Sequence, residues 1–188
     1  MIKELYPFIQ AYAFIIGLAV GSFLNVIIYR IPNNKSIVKP RSKCTGCETQ
    51  ISWYDNIPVL SYVFLLGKCR NCKASISVRY PLIEFICGLM TVMLLGIYGI
   101  SYEFFVIVLF CYMLIAITFI DIDHFIIPNE FIIFGLIVSF FSHAFNFLPI
   151  SIVQGFYGII AFGGTLFVMG ALGTWAFKKE ALGFGDVK

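Results

Sequence analysis

Between Glu4 and Arg30 the chain carries no charged residue. Residues 6–29 therefore form an apolar run longer than the ~20 residues needed to cross a bilayer. In lipid such a run has to be helical, because its backbone N–H and C=O groups find no water and must bond within the segment. It is too long for a signal-peptide core and has no small-residue cleavage site behind a basic start, so it reads as a retained first span. Four more apolar runs follow, at 81–98, 103–120, 129–145 and 150–177, separated by Gly, Ser, Asn and Pro punctuation. The last is glycine-rich (Gly155, Gly158, Gly163, Gly164, Gly170, Gly173), which suits a tilted, kinked or closely packed helix. No internal repeat or low-complexity tract stands out. Sixty per cent of the 188 residues are hydrophobic and 12% charged, with 21 Phe, against about a quarter charged in soluble domains. A soluble single-domain enzyme and a disordered chain are both excluded. The expected fold class is an all-α polytopic membrane protein with about five transmembrane helices and a small zinc-ribbon-like cytoplasmic insertion after the first.

That insertion, residues 30–80, is the one stretch polar enough to sit in water. It holds nine of the 13 Lys and Arg, against only Glu48 and Asp55 among acids. Basic residues near span ends mark the cytoplasmic side, so the segment is expected in the cytoplasm and the N-terminus outside. Counting spans forward, 121–128 and the tail carrying Lys178 and Lys179 return to the same side. The expected organisation is 6–29 as first span, 30–80 as cytoplasmic zinc-binding domain and 81–188 as membrane core. A net charge of +3 is too small and too localised to suggest nucleic acid as a partner; membrane lipid is the expected surrounding.

Cys44-Thr-Gly-Cys47 and Cys69-Arg-Asn-Cys72 are two C-x-x-C pairs with 21 residues between them. Each pair can grip one metal from a tight turn, and two pairs complete a tetrahedral zinc site with no position left open for substrate. The expected metal is a structural zinc on Cys44, Cys47, Cys69 and Cys72. A disulfide framework fits poorly with a cytoplasmic location, and a redox dithiol does not call for two matched pairs. Cys87 and Cys111 lie inside spans and read as small buried hydrophobes.

Asp121 and Asp123 stand in Phe119-Ile-Asp-Ile-Asp-His-Phe-Ile-Ile-Pro-Asn129 at the end of the third span, and Asp186 in Gly183-Phe-Gly-Asp186. Ionisable groups at a membrane boundary are costly and so are functional candidates. The topology puts both motifs on one side. Two carboxylates brought together in a low-dielectric site share a proton, and such a pair can activate water and protonate a leaving amine. On the residues alone, peptide hydrolysis and a proton or ion transporter using the same aspartates both stand. A thiol oxidoreductase and an assembly scaffold are further alternatives.

Gly17-Leu-Ala-Val-Gly21 is a G-x-x-x-G pattern continuing to Ser22, Asn25 and Arg30, read as helix packing. Glu84, early in the second span, is expected to meet a partner on a neighbouring helix. His124 and His143 have no metal-like companions, and Trp53, Tyr54 and Trp175 suit interfacial anchoring.

Taken in order, Gly21-Ser-Phe-Leu-Asn-Val-Ile-Ile-Tyr-Arg-Ile-Pro32, the two cysteine pairs, Trp53-Tyr-Asp-Asn-Ile-Pro-Val-Leu-Ser61, Ser77-Val-Arg-Tyr-Pro-Leu-Ile-Glu84, Asp121-Ile-Asp-His-Phe-Ile-Ile-Pro-Asn129 and Gly183-Phe-Gly-Asp-Val-Lys188 closely resemble the bacterial type IV prepilin peptidases. The resemblance implies a G-x-G-D aspartic endopeptidase of the inner membrane. Such an enzyme cleaves prepilin and pseudopilin leaders on the cytoplasmic side and typically N-methylates the new terminus with S-adenosylmethionine. It implies Asp121 and Asp186 as the catalytic pair, with Asp123 as the alternative first partner. No S-adenosylmethionine residues can be assigned from spacing. Members of that family continue past G-x-G-D through further spans, so the resemblance also implies a C-terminal truncation that would leave Asp186 without a following helix.

Overall fold

The computed structural model describes residues 2–147 and 151–177. Its helices are α1 (Ile2–Arg30), α2 (Leu60–Phe64), α3 (Arg79–Tyr98), α4 (Tyr102–His124), α5 (Asn129–Ala144), α6 (Ile152–Gly158) and α7 (Gly164–Phe177). A 3-10 turn at Trp53–Asn56 precedes α2, and a π turn at Ile159–Gly163 joins α6 to α7. Among the described residues β structure is limited to two isolated bridges, Lys43 with Gln50 and Lys68 with Ser75. Among the described residues four stretches are long and apolar enough to span a membrane: Leu5–Arg30, Arg79–Tyr98, Tyr102–His124 and Val153–Trp175. The fourth apolar run of the sequence becomes the 16-residue α5, about 24 Å long at 1.5 Å per residue, against a hydrocarbon core of about 30 Å. The chain is a polytopic helical membrane protein, and its polar segment follows the first span.

The chain divides into two compact units, Met1–Phe119 and Ile120–Lys188. In the first, α1 lies against α3, and glycine makes this possible. A Cβ placed on Gly17 would come within 2.7 Å of Gly88 Cα and of the Cys87 carbonyl, and one on Gly21 within 2.6 Å of Glu84 Cα. The G-x-x-x-G of α1 is thus a backbone-to-backbone contact, the close approach that small residues allow in lipid. Around it Leu24, Ile28, Ile83, Cys87 and Leu95 are buried. Asn25 donates from Nδ2 to the Tyr80 carbonyl at 3.1 Å, occupying an acceptor just as α3 begins. Helix α4 joins this unit through a buried bond between the Thr91 and Tyr112 hydroxyls at 2.5 Å. Arg79 donates from Nη2 to the Phe119 carbonyl at 2.9 Å while its guanidinium covers the Phe119 ring.

In the second unit α4 runs on through Asp121 and Asp123 to His124, farther than the apolar run that ends at Ile120. Nothing in the intervening sequence breaks a helix. Termination comes at Phe125, whose φ of +54° turns the chain left-handed while its N–H bonds the Asp121 carbonyl at 2.8 Å. Pro128, in extended backbone at φ −62° and ψ 137°, then caps the start of α5 at Asn129. Helix α6 opens with a reciprocal capping box between Ser151 and Gln154. Of the glycines expected to pack closely in the last run, Gly155, Gly158, Gly163 and Gly164 have nothing within 4 Å of an added Cβ, while the run does carry a π turn.

Candidate metal centre and aspartate motif

The polar segment is built around two copies of one turn. In the first, Cys44 N–H bonds the Thr49 carbonyl at 3.0 Å and Glu48 N–H bonds the Cys44 carbonyl at 2.9 Å. In the second, Cys69 N–H bonds the Ala74 carbonyl at 2.8 Å and Lys73 N–H bonds the Cys69 carbonyl at 3.1 Å. Both turns pass through a left-handed residue, Glu48 at φ 55° and Lys73 at φ 61°, and each closes with its own β-bridge. The segment therefore does contain a short repeat, Lys43-Cys-x-x-Cys47 and Lys68-Cys-x-x-Cys72. It is too brief to stand out in a scan for periodicity.

The two turns bring Cys44, Cys47, Cys69 and Cys72 together with all four Sγ atoms within 4.8 Å of one another. Cys44 Sγ and Cys72 Sγ are 3.7 Å apart. Four thiolates around a tetrahedral zinc, at about 2.3 Å each, stand about 3.8 Å from one another, so the sulfurs would close by no more than about 1 Å around a metal ion. The surroundings favour thiolate at Cys47 and Cys69. Gly46 N–H points at Cys44 Sγ from 3.4 Å. Cys47 is lowered to about 6 by the Thr49 hydroxyl and then by the Thr49 amide, and Cys69 is lowered by the amides of Cys72 and Asn71. Cys72 is also drawn down by the Ala74 amide, yet its sulfur neighbours Cys47, Cys44 and Cys69 leave it raised to about 11. Cys72 thus keeps its proton more firmly than Cys47 or Cys69, as expected where negative charge crowds.

Between the two cysteines of the second turn, Arg70 reaches out and grips Asp55 with both Nε and Nη2, at 2.6–3.1 Å. The guanidinium holds the Asp55 carboxyl below the ordinary carboxylate range and lies over the Tyr54 ring. This ties the 3-10 turn to the cysteine cluster. A second tie runs to the membrane helices, where Glu84 accepts from Val59 N–H at 2.7 Å and lies beside Ser22 of α1. Neither Arg70 nor the amide partner of Glu84 was legible in the sequence. An acid beside one helix is naturally matched to another helix, and Ser22 meets that expectation, whereas a loop amide leaves no sequence signal.

The aspartates sit apart from this cluster in the chain. Asp121 is half-buried and Asp123 exposed. Two residues apart on a helix of 3.6 residues per turn, they project about 200° apart, so they cannot both serve one partner on one face. Asp186 lies outside the described residues. Cys87 is buried, as expected of a small apolar residue, and Cys111 is half-buried. Trp53 and Trp175 are exposed, in keeping with interfacial anchors.

Residues 15–98 match the family model of the bacterial Peptidase A24 N-terminal domain, and 108–188 that of the type IV leader peptidase family. A prepilin leader peptidase/N-methyltransferase of Stutzerimonas stutzeri is 33% identical across 94% of this chain and 68% of its own length. The chain belongs to the type IV leader peptidase family. Its relatives of the same name include one from Neisseria gonorrhoeae, 32% identical over the whole chain and 73% of the relative. Another, from Myxococcus xanthus, is 37% identical over 96% of this chain and 53% of the relative. The chain thus spans about half the length of the Myxococcus protein. No solved structure matches it. Within the family frame the cysteine cluster falls in the N-terminal domain, while Asp121, Asp123 and Asp186 all fall in the leader peptidase region.

Proposed function

We propose that this chain carries the metal-binding domain and the aspartate motifs of a membrane aspartic endopeptidase that removes the leader from type IV prepilins and pseudopilins. In this reading it sits in the bacterial inner membrane with its N-terminus outside. Residues 30–80 and both aspartate motifs face the cytoplasm, and 81–188 contribute the protease core. The observation that carries the reading is the pair of family matches, which follow one another along nearly the whole chain and put all three aspartates in the peptidase half.

Asp121 and Asp186 form the catalytic pair. Asp121 is favoured over Asp123 because it is half-buried whereas Asp123 is exposed. The ionised member takes a proton from water as the oxygen attacks the scissile carbonyl. The protonated member gives its proton to the leaving amine, and no covalent intermediate forms. Cys44, Cys47, Cys69 and Cys72 hold a structural zinc, which when bound braces the two turns. The methyltransferase half of the relatives' names supports a second step in which S-adenosylmethionine supplies a methyl group to the freed N-terminus.

The test is the N-terminal mass of a prepilin co-expressed with the chain as it stands and with a form extended to the length of its relatives. Leader removal that is lost in Asp121→Asn and Asp186→Asn but kept in Asp123→Asn is the expected result. Intact prepilin with every form overturns the assignment, and loss in Asp123→Asn but not in Asp121→Asn exchanges the two aspartates.

A further inference from the structure

Helix α2 wears its amphipathicity inside out. Its polar residues point inward, with Ser61 Oγ donating to the Tyr54 carbonyl at 2.9 Å and accepting from Ile57 N–H at 3.0 Å. Tyr62 covers Gly67, where an added Cβ would meet its ring at 2.8–3.3 Å. The outward face is Leu60, Val63 and Phe64, at helical spacing i, i+3 and i+4, exposed by 54%, 60% and 82%, and Leu66 follows at 83%. In water this cluster of large apolar side chains would be a liability.

The depth of the cluster is fixed from below. Helix α3 is a 20-residue span, about 30 Å long, which leaves no spare turn beyond a hydrocarbon core of about 30 Å. Arg79, its first residue, therefore lies at the membrane boundary. Glu84 stands five residues further in, about 7.5 Å along the axis, and helical side chains lean back toward the N-terminus. The Glu84 carboxylate holds Val59 N–H at 2.7 Å, and α2 begins at the very next residue. The turn entering α2 is thus pinned at the level of the span's own entrance. Asn25 anchors that entrance from α1 through the Tyr80 carbonyl. Immediately after α2 come the exposed bases Lys68 and Lys73, in a segment with nine basic residues and two acids.

We propose that α2 and the residues beside it are an interfacial element. Leu60, Val63, Phe64 and Leu66 seat in the headgroup–acyl boundary of the bilayer that holds α3, and Lys68 and Lys73 meet anionic headgroups above. The occupant of this face is lipid, because the face is continuous with the membrane boundary of α3 and its charged rim has the sign that anionic lipid attracts. The polar segment is then a domain resting on the membrane, and the metal cluster is held at a fixed height above it through Arg70 and Asp55.

Tryptophan depth in vesicles tests this. The full chain carrying Trp53→Phe, Trp175→Phe and Phe64→Trp is reconstituted in phosphatidylcholine with a quarter phosphatidylglycerol, with and without bromine on the phosphatidylcholine acyl chains. A side chain seated about 5–10 Å into the boundary gives blue-shifted emission that falls about twofold or more with the brominated lipid. Omitting phosphatidylglycerol lessens the quenching. Val63→Trp in the same background reports the same depth if Phe64→Trp misfolds, and a separate Trp53→Phe chain that keeps Trp175, the last residue of the Val153–Trp175 span, serves as the interfacial standard. Emission at the wavelength of water-exposed tryptophan, unchanged by bromine, overturns the proposal. So does a shift that appears only when a prepilin is added, which would give the face to a protein partner. The readout needs no catalysis, so it stands or falls independently of the peptidase reading.

Discussion

Replacing Gly21 by alanine should pry α1 from α3, and the buried thiol of Cys87 will report it. The added Cβ would lie 2.6 Å from Glu84 Cα and 3.1 Å from Cys87 Cβ, whereas ordinary contact begins near 3.4 Å. Backbone faces the new methyl on the near side, so a side-chain rotation cannot relieve the overlap and the helices must part by nearly 1 Å. Overpacking of this kind costs about 1–3 kcal/mol. Cys87 is wholly buried at this contact, so its alkylation requires the helices to open. At a tenfold change per 1.4 kcal/mol, Gly21→Ala should speed that alkylation roughly 5- to 150-fold, followed residue by residue by peptide mass after iodoacetamide treatment in detergent. Gly96→Ala is the control on α3 itself: nothing lies within 4 Å of its Cβ, and alanine is the better helix former by about 0.5–1 kcal/mol. Its rate should stay at or below that of the native chain. A Gly21→Ala protein whose Cys87 reacts at the native rate would refute close backbone packing as the basis of the α1–α3 contact.

In the metal-free chain Cys47, lowered to about 6, should be largely thiolate at pH 7 and alkylate first. Cys72, raised to about 11, should react well after Cys47 and only as the pH rises toward that value, and added zinc should protect all four; equal rates for these two would contradict the cluster's electrostatics. Because the metal needs thiolates, zinc should be released progressively on acidification, read by metal analysis after gel filtration. For the buried Thr91–Tyr112 pair, a double-mutant cycle with Thr91→Val and Tyr112→Phe should give a coupling of about 0.6–1.7 kcal/mol in thermal unfolding, and zero coupling would remove this bond as a link between α3 and α4. Gly67 adopts φ +66° beneath Tyr62, so Gly67→Ala should cost about 1–2 kcal/mol and loosen the second cysteine turn, measured as faster zinc loss to a chelator.

What could be read in advance divides along a physical line. Hydropathy is a property of composition, so the existence of the spans was plain, and C-x-x-C spacing carries its geometry within a few bonds, so the cluster was too. The apolar run stops at Ile120 because Asp121, Asp123 and His124 are polar, while the helix heeds backbone geometry and stops only at Phe125. Gly17 and Gly21 announced a close contact but not its partner, since α3 lies some 60 residues further on. Glu84 announced a partner on a neighbouring helix, yet the acceptor also serves a main-chain N–H 25 residues away, and every residue but proline has such an N–H.

The pairing of α1 with α3 has a topological side as well. Forty-eight residues, 31–78, lie between these helices, and every meeting of the two closes a loop of that length. A metal joining Cys44 to Cys72 cuts 27 residues, 45–71, out of the circuit, so the path left to close is about 21 residues. With closure entropy growing as three halves of RT times the logarithm of loop length, the shortcut is worth about 0.7 kcal/mol to the helix pair. By reciprocity the assembled pair raises metal affinity by the same increment. An ion in the polar segment would thus act as a knot tied in the tether of two membrane helices, tightening a contact it never touches.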